Sequence, residues 1–145
     1  MNLSGDAVIG RIKALGLPQG SFVVIGSGIL AALGIRQTSD IDLAADGATY
    51  EMLAAESREW TEEDTGHGLR LMSSDGVIEV WRDWNPAPSG DWSVEELLRD
   101  AVVIDGVAFV SLERVRRWKL WRGREKDLRD VALIDAYRKE SEAKG

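Results

Sequence analysis

Apolar residues recur along the chain with two different periods, which predict a mixture of helices and strands. Between Asp6 and Leu15 they follow helical spacing, and Gly16 ends that segment. The run Ser21–Ile25 is short and β-rich, as expected of a buried strand. The same criteria predict helices at Asp6–Leu15, Ile29–Leu33, Ala48–Arg58, Val94–Arg99, Leu112–Trp121 and Arg124–Lys139. They predict strands at Ser21–Ile25, Asp40–Ala44, Leu69–Met72, Val77–Trp81, Ala101–Ile104 and Val107–Val110.

Two Asp-Gly pairs predict β-hairpins between neighbouring strands. One lies in Ser73–Gly76 and the other is Asp105-Gly106, and such pairs supply the positive φ angles of a tight turn. The segments Thr61–Gly68, which contains His67, and Asn85–Gly90 are predicted to be loops. This order of elements predicts an α+β domain, with a mixed or antiparallel sheet and terminal helices packed on it.

The composition indicates one ordered domain and excludes several kinds of chemistry. A length of 145 residues, with 44% hydrophobic residues and 3 prolines, predicts a single domain. The order of its predicted elements puts the core at about residues 21–110 and the C-terminal helices at about residues 111–139. The absence of cysteine excludes thiolate metal sites, and a single histidine argues against a Ser-His-Asp triad. No apolar run is long enough to span a membrane and Met1–Gly10 is too polar for a signal peptide, so we predict a cytoplasmic protein.

Positive charge is concentrated near the end of an otherwise acidic chain. The segment Arg114–Arg129 contains eight Lys and Arg residues against Glu125 and Asp127, a net charge of +6 in a chain whose total is −7. Such a segment is either a solvated helix face or an anion-binding surface. On the same helix, Trp118 and Trp121 lie at helical spacing and are predicted to be core contacts rather than base-stacking platforms.

A glycine-containing turn and a pair of acids form the most informative stretch. The strand Ser21–Ile25 leads directly into Gly26-Ser27-Gly28 and a helix, and backbone N–H groups in such a turn bind anions. Asp40 and Asp42 are two residues apart on a predicted strand, so their side chains share a face and can share hard cations. Each half alone has a structural alternative, which is tight packing for the turn and a solvated strand face for the acids. Together they predict that phosphates and Mg²⁺ meet here.

These residues resemble the nucleotidyltransferase superfamily of DNA polymerase β. Its signature is a hydrophobic residue with Gly-Ser or Gly-Gly, then Asp-hydrophobic-Asp, then a third acid on a later strand. Ile25-Gly26-Ser27 and Asp40-Ile41-Asp42 match the first two parts, and Ile78-Glu79-Val80 supplies the third acid. The alternative is that Glu79 is simply an exposed residue of a hairpin strand. The resemblance favours a role for Glu79 as the third acid of the site.

The end of the chain extends the resemblance. Lys119 and the segment Arg124–Asp130 are similar to the closing K…R…KDxxD segment of small bacterial nucleotidyltransferases, so that the likeness covers about Ser21 to Tyr137. These proteins include relatives of abortive-infection and type IV toxin–antitoxin nucleotidyltransferases and of aminoglycoside- or lincosamide-modifying enzymes. The resemblance implies a nucleotidyltransferase-like mixed sheet with flanking helices and a C-terminal helix pair.

The resemblance also implies a set of site residues. Asp40, Asp42 and Glu79 would be the catalytic and metal-binding acids for two Mg²⁺ ions, with Glu79 as the candidate to take a proton from the acceptor hydroxyl. The nucleotide would bind to Gly26, Ser27, Arg36, Lys119, Arg124 and Asp127. The third acid is Glu rather than the more usual Asp, and Gly28 stands where many relatives have Ser or Thr. The chain also has no sizeable second domain for an acceptor.

The predicted activity is transfer of a nucleoside monophosphate from an NTP to a hydroxyl on RNA, protein or a small molecule. If the acceptor is RNA, the basic segment 114–129 would bind the phosphate backbone of that RNA. The alternative is a non-catalytic nucleotide-binding or interaction module of the same fold. For Arg36, the plain alternative to a phosphate contact is an ion pair with Asp40 or Asp42. The donor base and the oligomeric state have no signal in the sequence.

Overall fold

The computed structural model describes residues 2–66, 68–82, 84 and 92–144. Within them the chain forms six helices and seven strands of one open sheet, so the predicted α+β class is confirmed. The helices are α1 (Gly5–Lys13), α2 (Gly28–Ala32), α3 (Gly47–Ala54), α4 (Val94–Arg99), α5 (Leu112–Arg122) and α6 (Glu125–Lys144). The strands are β1 (Phe22–Ile25), β2 (Ile41–Ala45), β3 (Trp60–Asp64), β4 (Leu69–Ser73), β5 (Ile78–Arg82), β6 (Val102–Ile104) and β7 (Val107–Phe109).

The sheet is mixed, with strand order β3-β4-β5-β2-β1-β7-β6. β1 runs antiparallel to β2 and parallel to β7, and β2 runs parallel to β5. The outer pairs β3–β4, β4–β5 and β6–β7 are antiparallel. All four residues of β1 are buried, which explains why its sequence is a continuous apolar run rather than an alternating one. In the neighbouring β2, Asp42 is the only polar residue.

Local sequence signals define where several helices begin and end. The side chains of Ser4, Asp46, Ser93 and Ser111 each accept a hydrogen bond from a backbone N–H in the first turn of α1, α3, α4 and α5 respectively. α5 ends at Gly123, whose φ of 65° is readily adopted by glycine. This turn reverses the chain, so that α6 packs against α5 as the predicted C-terminal helix pair.

A single hydrophobic core holds the sheet and helices together. The helices α1 to α4 contribute buried residues to it, and α5 and α6 contribute Val115 and Ile134. Both predicted hairpins are present, and in the second Asp105 and Gly106 have φ angles of 50° and 79°. An isolated bridge between Leu3 and Thr38 joins the start of the chain to the segment before β2.

The prediction of a loop over Thr61–Gly68 is wrong, because Trp60–Asp64 forms strand β3. This strand lies at the sheet edge, and only its first residue is buried. A solvated edge strand lacks the alternating apolar pattern used to recognise strands, and charged side chains are typical of it. The predicted helix Ala48–Arg58 is also too long, since α3 ends at Ala54. His67 and the predicted loop Asn85–Gly90 lie outside the described residues.

The two tryptophans of α5 differ from each other. Trp118 is partly buried and packs edge-on against Trp84, with 5.9 Å between ring centroids, which confirms its prediction as a core contact. The same prediction for Trp121 is wrong, because 55% of this residue is exposed. In the described part of the chain, no helix combines the length and apolar character needed to cross a membrane.

Candidate active site

A cavity of about 570 Å³ lies between the Gly26-Ser27 turn, the ends of β2 and β5, and the α5–α6 pair. It brings together every residue predicted from the sequence: Gly26, Ser27, Arg36, Asp40, Asp42, Glu79, Lys119, Arg124 and Asp127. These residues come from positions more than one hundred apart in the chain. The cavity therefore unites the front and rear motifs in one site, with acids on one side and cations on the other.

Asp42 and Glu79 form the acidic side of the cavity. They stand opposite each other on the parallel strands β2 and β5. Burial, hydrogen bonding with Glu79 and the charge of Asp40 together raise the pKa of Asp42 well above its ordinary value. Within the described part of the chain, Asp42 Oδ1 is buried without a hydrogen-bond partner. A buried carboxylate oxygen without a partner has unused capacity to bind a proton, a donor or a cation.

Gly26 makes room for the carboxyl group of Asp42. Its φ of 66° lies in the left-handed region, and a Cβ placed there would lie 2.9 Å from Asp42 Oδ2. Any side chain at position 26 would therefore be strained and would also press on the acid. Asp40 lies just before β2 and is exposed, and the Thr38 hydroxyl donates to its carbonyl oxygen at 3.2 Å.

Arg70 is a site residue that the sequence reasoning missed. Its Nη1 donates to Glu79 Oε1 at 2.6 Å, and its Nη2 donates to Glu63 Oε2 at 2.8 Å. Its charge also lowers the pKa of Asp42 against the effects that raise it. The signal was present in the predicted hairpin, because the register that pairs Met72 with Glu79 puts Arg70 diagonally across from Glu79 on the same face.

Lys119 lies at the centre of the cationic side, and only 4% of it is exposed. Its Nζ lies 2.8 Å from Asp130 Oδ2, 3.9 Å from Asp127 Oδ1 and 3.2 Å from Ser27 Oγ. Arg36 donates to both carboxylate oxygens of Asp130, at 2.7 and 2.8 Å, and its Nη2 also donates to Ser27 Oγ at 3.0 Å. Arg36 therefore pairs with Asp130, and the alternative ion pair with Asp40 or Asp42 is wrong.

The hydroxyl of Ser27 is oriented by these two cations. A hydroxyl oxygen has two acceptor positions, and Arg36 and Lys119 donate to both. The hydroxyl hydrogen of Ser27 is then the group left for an additional partner. Ser27 thus supplies a donor next to a double positive charge, an arrangement suited to an anionic ligand.

Asp127 and Asp130 anchor the start of α6 to this cluster. Asp127 accepts from Arg124 Nε at 2.6 Å and from the Arg124 backbone N–H at 3.2 Å. Burial raises the pKa of Asp127, but hydrogen bonding and charge from Arg124 and the charge of Lys119 outweigh it, so the net shift is downward. For Asp130, hydrogen bonds and charges from Arg36 and Lys119 likewise outweigh burial, and its pKa is lowered. Both acids are therefore held as carboxylates; Asp130 neutralises the buried Lys119 and the partly exposed Arg36, and Asp127 neutralises the exposed Arg124.

Other cavity-lining residues were also missed as site residues. Besides Asp130, they are Thr38, Ser39, Trp118, Arg122, Lys126, Arg129 and Leu133. The guanidinium carbon of Arg122 lies 4.9 Å from the centroid of the Trp118 ring, and burial together with the charge of Arg124 lowers the pKa of Arg122. The basic composition of segment 114–129 was the available signal, but which of its cations face the cavity depends on how α6 packs.

The acids fit a Mg²⁺ ion that is completed by its substrate. Among residues 2–66, 68–82, 84 and 92–144, no three acidic or histidine side chains converge into a ready-made metal site. Mg²⁺ is usually held by one or two carboxylates together with waters and substrate phosphates, rather than by an all-protein cage. The Asp42–Glu79 pair and the unpartnered Asp42 Oδ1 provide that donor set, with Asp40 nearby.

Comparison with known proteins adds no relative. No family model, no curated protein and no solved structure matches this chain.

Proposed function

We propose that this chain is a member of the nucleotidyltransferase superfamily and transfers a nucleoside monophosphate from an NTP to a hydroxyl acceptor with the help of Mg²⁺. One observation carries the proposal. The acids Asp42 and Glu79 and the cations Arg36 and Lys119 line the same cavity, with the Gly26-Ser27 turn among its walls. An NTP needs both parts, since its triphosphate requires positive charge and hydrogen-bond donors, and its Mg²⁺ requires carboxylates.

The phosphate-binding role falls to the cationic side. Ser27 donates its hydroxyl hydrogen, and Arg36 and Lys119 supply charge from fixed positions. Asp130 holds both cations in place before a ligand arrives, so little reorganisation is needed when the triphosphate binds. Arg124, fixed by Asp127, adds a further positive charge at the cavity wall.

Asp40, Asp42 and Glu79 are the residues that would hold Mg²⁺. The ion supplies neutralisation of phosphate charge and polarisation of the acceptor oxygen. In the proposed reaction, the acceptor oxygen forms a bond to the α-phosphorus while the bond from that phosphorus to the α–β bridging oxygen breaks. Pyrophosphate leaves, and the proton of the acceptor hydroxyl passes to a carboxylate. Glu79 is the candidate for this role, and Arg70 holds its position.

Thermal melting with each of ATP, GTP, CTP and UTP, with and without Mg²⁺, tests the binding part. A nucleotide at 100 times its Kd stabilises the folded state by about 2.7 kcal/mol, which is several degrees for a chain of this size. We expect a shift that requires Mg²⁺ and is lost in Asp42→Asn. The matched control is Asp105→Asn, the same change at an exposed hairpin position away from the cavity.

Transfer is tested with NTPs labelled at the α-phosphate and supplied with RNA, protein or small-hydroxyl acceptors. We expect the label to enter one acceptor class with release of pyrophosphate, and to be lost in Asp42→Asn and Glu79→Gln. Binding without transfer to any class would instead support the nucleotide-binding module. The absence of a nucleotide-dependent shift in melting temperature at millimolar concentration would contradict both the nucleotidyltransferase and the nucleotide-binding module.

A further inference from the structure

Half of the cations in segment 114–129 are neutralised by the fold. Four of its eight cations are paired with carboxylates: Arg114 with Glu96 and Asp100, Arg116 with Asp135, Lys119 with Asp130, and Arg124 with Asp127. The first three pairs connect α5 to α4 and α6. The net charge of the segment therefore overstates the charge that is available to a ligand, and the unpaired cations are the informative ones.

Three of the four remaining cations of the segment line the cavity, whereas the fourth, Arg117, is not among the lining residues and lies 5.9 Å from the centroid of the Trp92 ring. Within the described part of the chain, Arg122 and Lys126 form no ion pair. Arg129 lies 3.7 Å from Glu125, but both side chains are at least 70% exposed, so this contact neutralises little. Lys126 and Arg129 are three residues apart on α6 and therefore share a helix face. All three cations line the cavity, so their charge is directed towards the proposed transfer site.

An exposed aromatic residue directly precedes one of these cations in the chain. Trp121 lies before Arg122 at the end of α5 and is 55% exposed, although tryptophan is usually largely buried, and it is not among the residues that line the cavity. We refer to Trp121, Arg122, Lys126 and Arg129 together as the α5–α6 rim. Accessible aromatic rings combined with cations are the means by which proteins hold single-stranded nucleic acid, since cations contact phosphates and the rings stack on bases.

We propose that the α5–α6 rim docks a single-stranded segment of RNA, which presents the acceptor hydroxyl to the cavity; this inference rests on the proposed nucleotidyl transfer. Charge complementarity favours the assignment, because three cations that no buried carboxylate neutralises line one cavity in a chain whose net charge is −7. A protein acceptor with acidic side chains would satisfy the cations but would leave the indole of Trp121 without a stacking partner. RNA is favoured over DNA because each nucleotide carries a 2′-hydroxyl that can serve as an acceptor or be recognised.

The first test measures binding of a fluorescein-labelled, unstructured RNA of 20 nucleotides by anisotropy at several salt concentrations. We expect the double variant Lys126→Gln/Arg129→Gln to bind at least 10-fold more weakly. The slope of log K against log salt should fall by about 1.4, which corresponds to two lost contacts with single-strand phosphates. The matched control is Arg58→Gln/Lys139→Gln, which removes the same charge from exposed positions outside the cavity and should change neither quantity.

The second test separates base stacking from general apolar contact. Trp121→Leu keeps an apolar side chain and removes the aromatic ring, and we expect it to weaken RNA binding roughly 5- to 150-fold without changing the salt slope. Leu120→Ala, at the exposed neighbouring position, should leave binding unchanged. Thermal melts of all variants without ligand show that each has folded.

Equal weakening by the rim and control charge variants would overturn the proposal, as would tighter binding of poly-glutamate or of single-stranded DNA of the same sequence. The experiments distinguish failure of RNA docking from failure of the proposed function. A Mg²⁺-dependent melting shift with an NTP, together with no RNA binding, would contradict RNA docking at the α5–α6 rim and leave the proposed nucleotidyl transfer standing. RNA binding that depends on the rim, without any nucleotide-dependent shift, would support the rim and contradict the proposed transfer.

Discussion

Asp42 on β2 lies directly opposite Glu79 on the parallel strand β5. Burial of Asp42, hydrogen bonding with Glu79 and the nearby charge of Asp40 raise the pKa of Asp42 well above its ordinary value. The fold therefore makes an uncompensated negative charge on Asp42 unfavourable at the position where a cation is expected to bind.

Asp42→Asn is predicted to stabilise the ligand-free protein at neutral and higher pH. Since the pKa of Asp42 is raised above 3.8 on folding, the folded state binds more protons than the unfolded state, and stability falls as pH rises through that interval. Asparagine carries no charge and escapes this loss. We expect the variant to gain about 1–3 kcal/mol over wild type at pH 8 and no advantage near pH 3, measured by urea unfolding.

The matched control for this prediction is Asp105→Asn, which removes a largely exposed carboxyl group paired only with Lys13. Its unfolding free energy should follow that of wild type within about 0.5 kcal/mol at every pH. An advantage of Asp42→Asn that stays constant from pH 3 to pH 8 would show that the raised pKa of Asp42 is not the cause.

Gly26→Ala is predicted to disturb the acid pair through direct contact. The added Cβ would lie 2.9 Å from Asp42 Oδ2, in addition to the strain of φ 66°. Gly34→Ala provides the control, because φ is 74° there and nothing lies within 4 Å of the added atom. We expect Gly34→Ala to cost about 1–2 kcal/mol from backbone strain alone. Gly26→Ala should cost more and should also abolish the Mg²⁺-dependent melting shift with NTP. Equal effects of the two variants on both measurements would contradict a role for Gly26 in accommodating Asp42.

All nine predicted site residues line the cavity. The glycine turn and the two acids are predicted from local geometry, since glycine favours a turn and two acids separated by one residue share a strand face, whereas the other site residues are predicted from the resemblance. Arg70 reaches Glu79 through the register of the local β4–β5 hairpin, so that the predicted hairpin already contained its signal. Asp130 depends instead on how distant segments pack, because it reaches Arg36 from a position 94 residues away. The role of Asp130 is visible only in the fold.

The errors in the fold prediction also have physical reasons. Hydrophobic periodicity detects elements that bury one face, and β3 buries little beyond Trp60, so its polar sequence was interpreted as a loop. Trp121 shares the helical spacing of Trp118 but lies in the last turn of α5, where the chain reverses at Gly123. Periodicity predicts which residues share a face of α5, but it does not show where the packing partner of that face ends.

Asp130→Ala is predicted to cause a large loss of stability. Asp130 neutralises Arg36 and the buried Lys119, and its removal leaves Lys119 with only Asp127 at 3.9 Å. Removing one partner of a buried ion pair typically costs about 3–5 kcal/mol. The pKa of Asp130 is lowered on folding, so its contribution is present above 3.8 and is lost as pH falls through the folded value. Urea unfolding at pH 7 and at pH 3 measures both effects.

Asp135→Ala is the matched control for Asp130→Ala. It lies on the same helix and pairs with Arg116, but its side chain is 48% exposed. We expect a much smaller loss than that of Asp130→Ala at pH 7, because solvent screens such pairs. Similar losses in the two variants would mean that the Asp130 cluster contributes no more than a surface ion pair does.

Arg70→Gln is predicted to weaken Mg²⁺-dependent nucleotide binding without disrupting the fold. Arg70 fixes Glu79 through the 2.6 Å hydrogen bond and lowers the pKa of Asp42, so its loss frees one carboxylate and makes the other harder to ionise. Loss of a group that orients a metal ligand typically costs about 10- to 100-fold in metal affinity. We expect the Mg²⁺ concentration for a half-maximal melting shift to rise by this factor, and the shift to require a higher pH than in wild type.

Two further variants distinguish positioning by Arg70 from a general effect of its charge. Glu63→Gln removes the exposed partner of Arg70 and leaves the contact with Glu79, so it should change Mg²⁺ dependence less than 2-fold. Arg70→Lys retains the charge but has only a single ammonium in place of the guanidinium fork, and it should recover the pH dependence more fully than the Mg²⁺ affinity. If Arg70→Gln bound Mg²⁺ and nucleotide as wild type does across the pH range, Glu79 would not depend on Arg70 for its position.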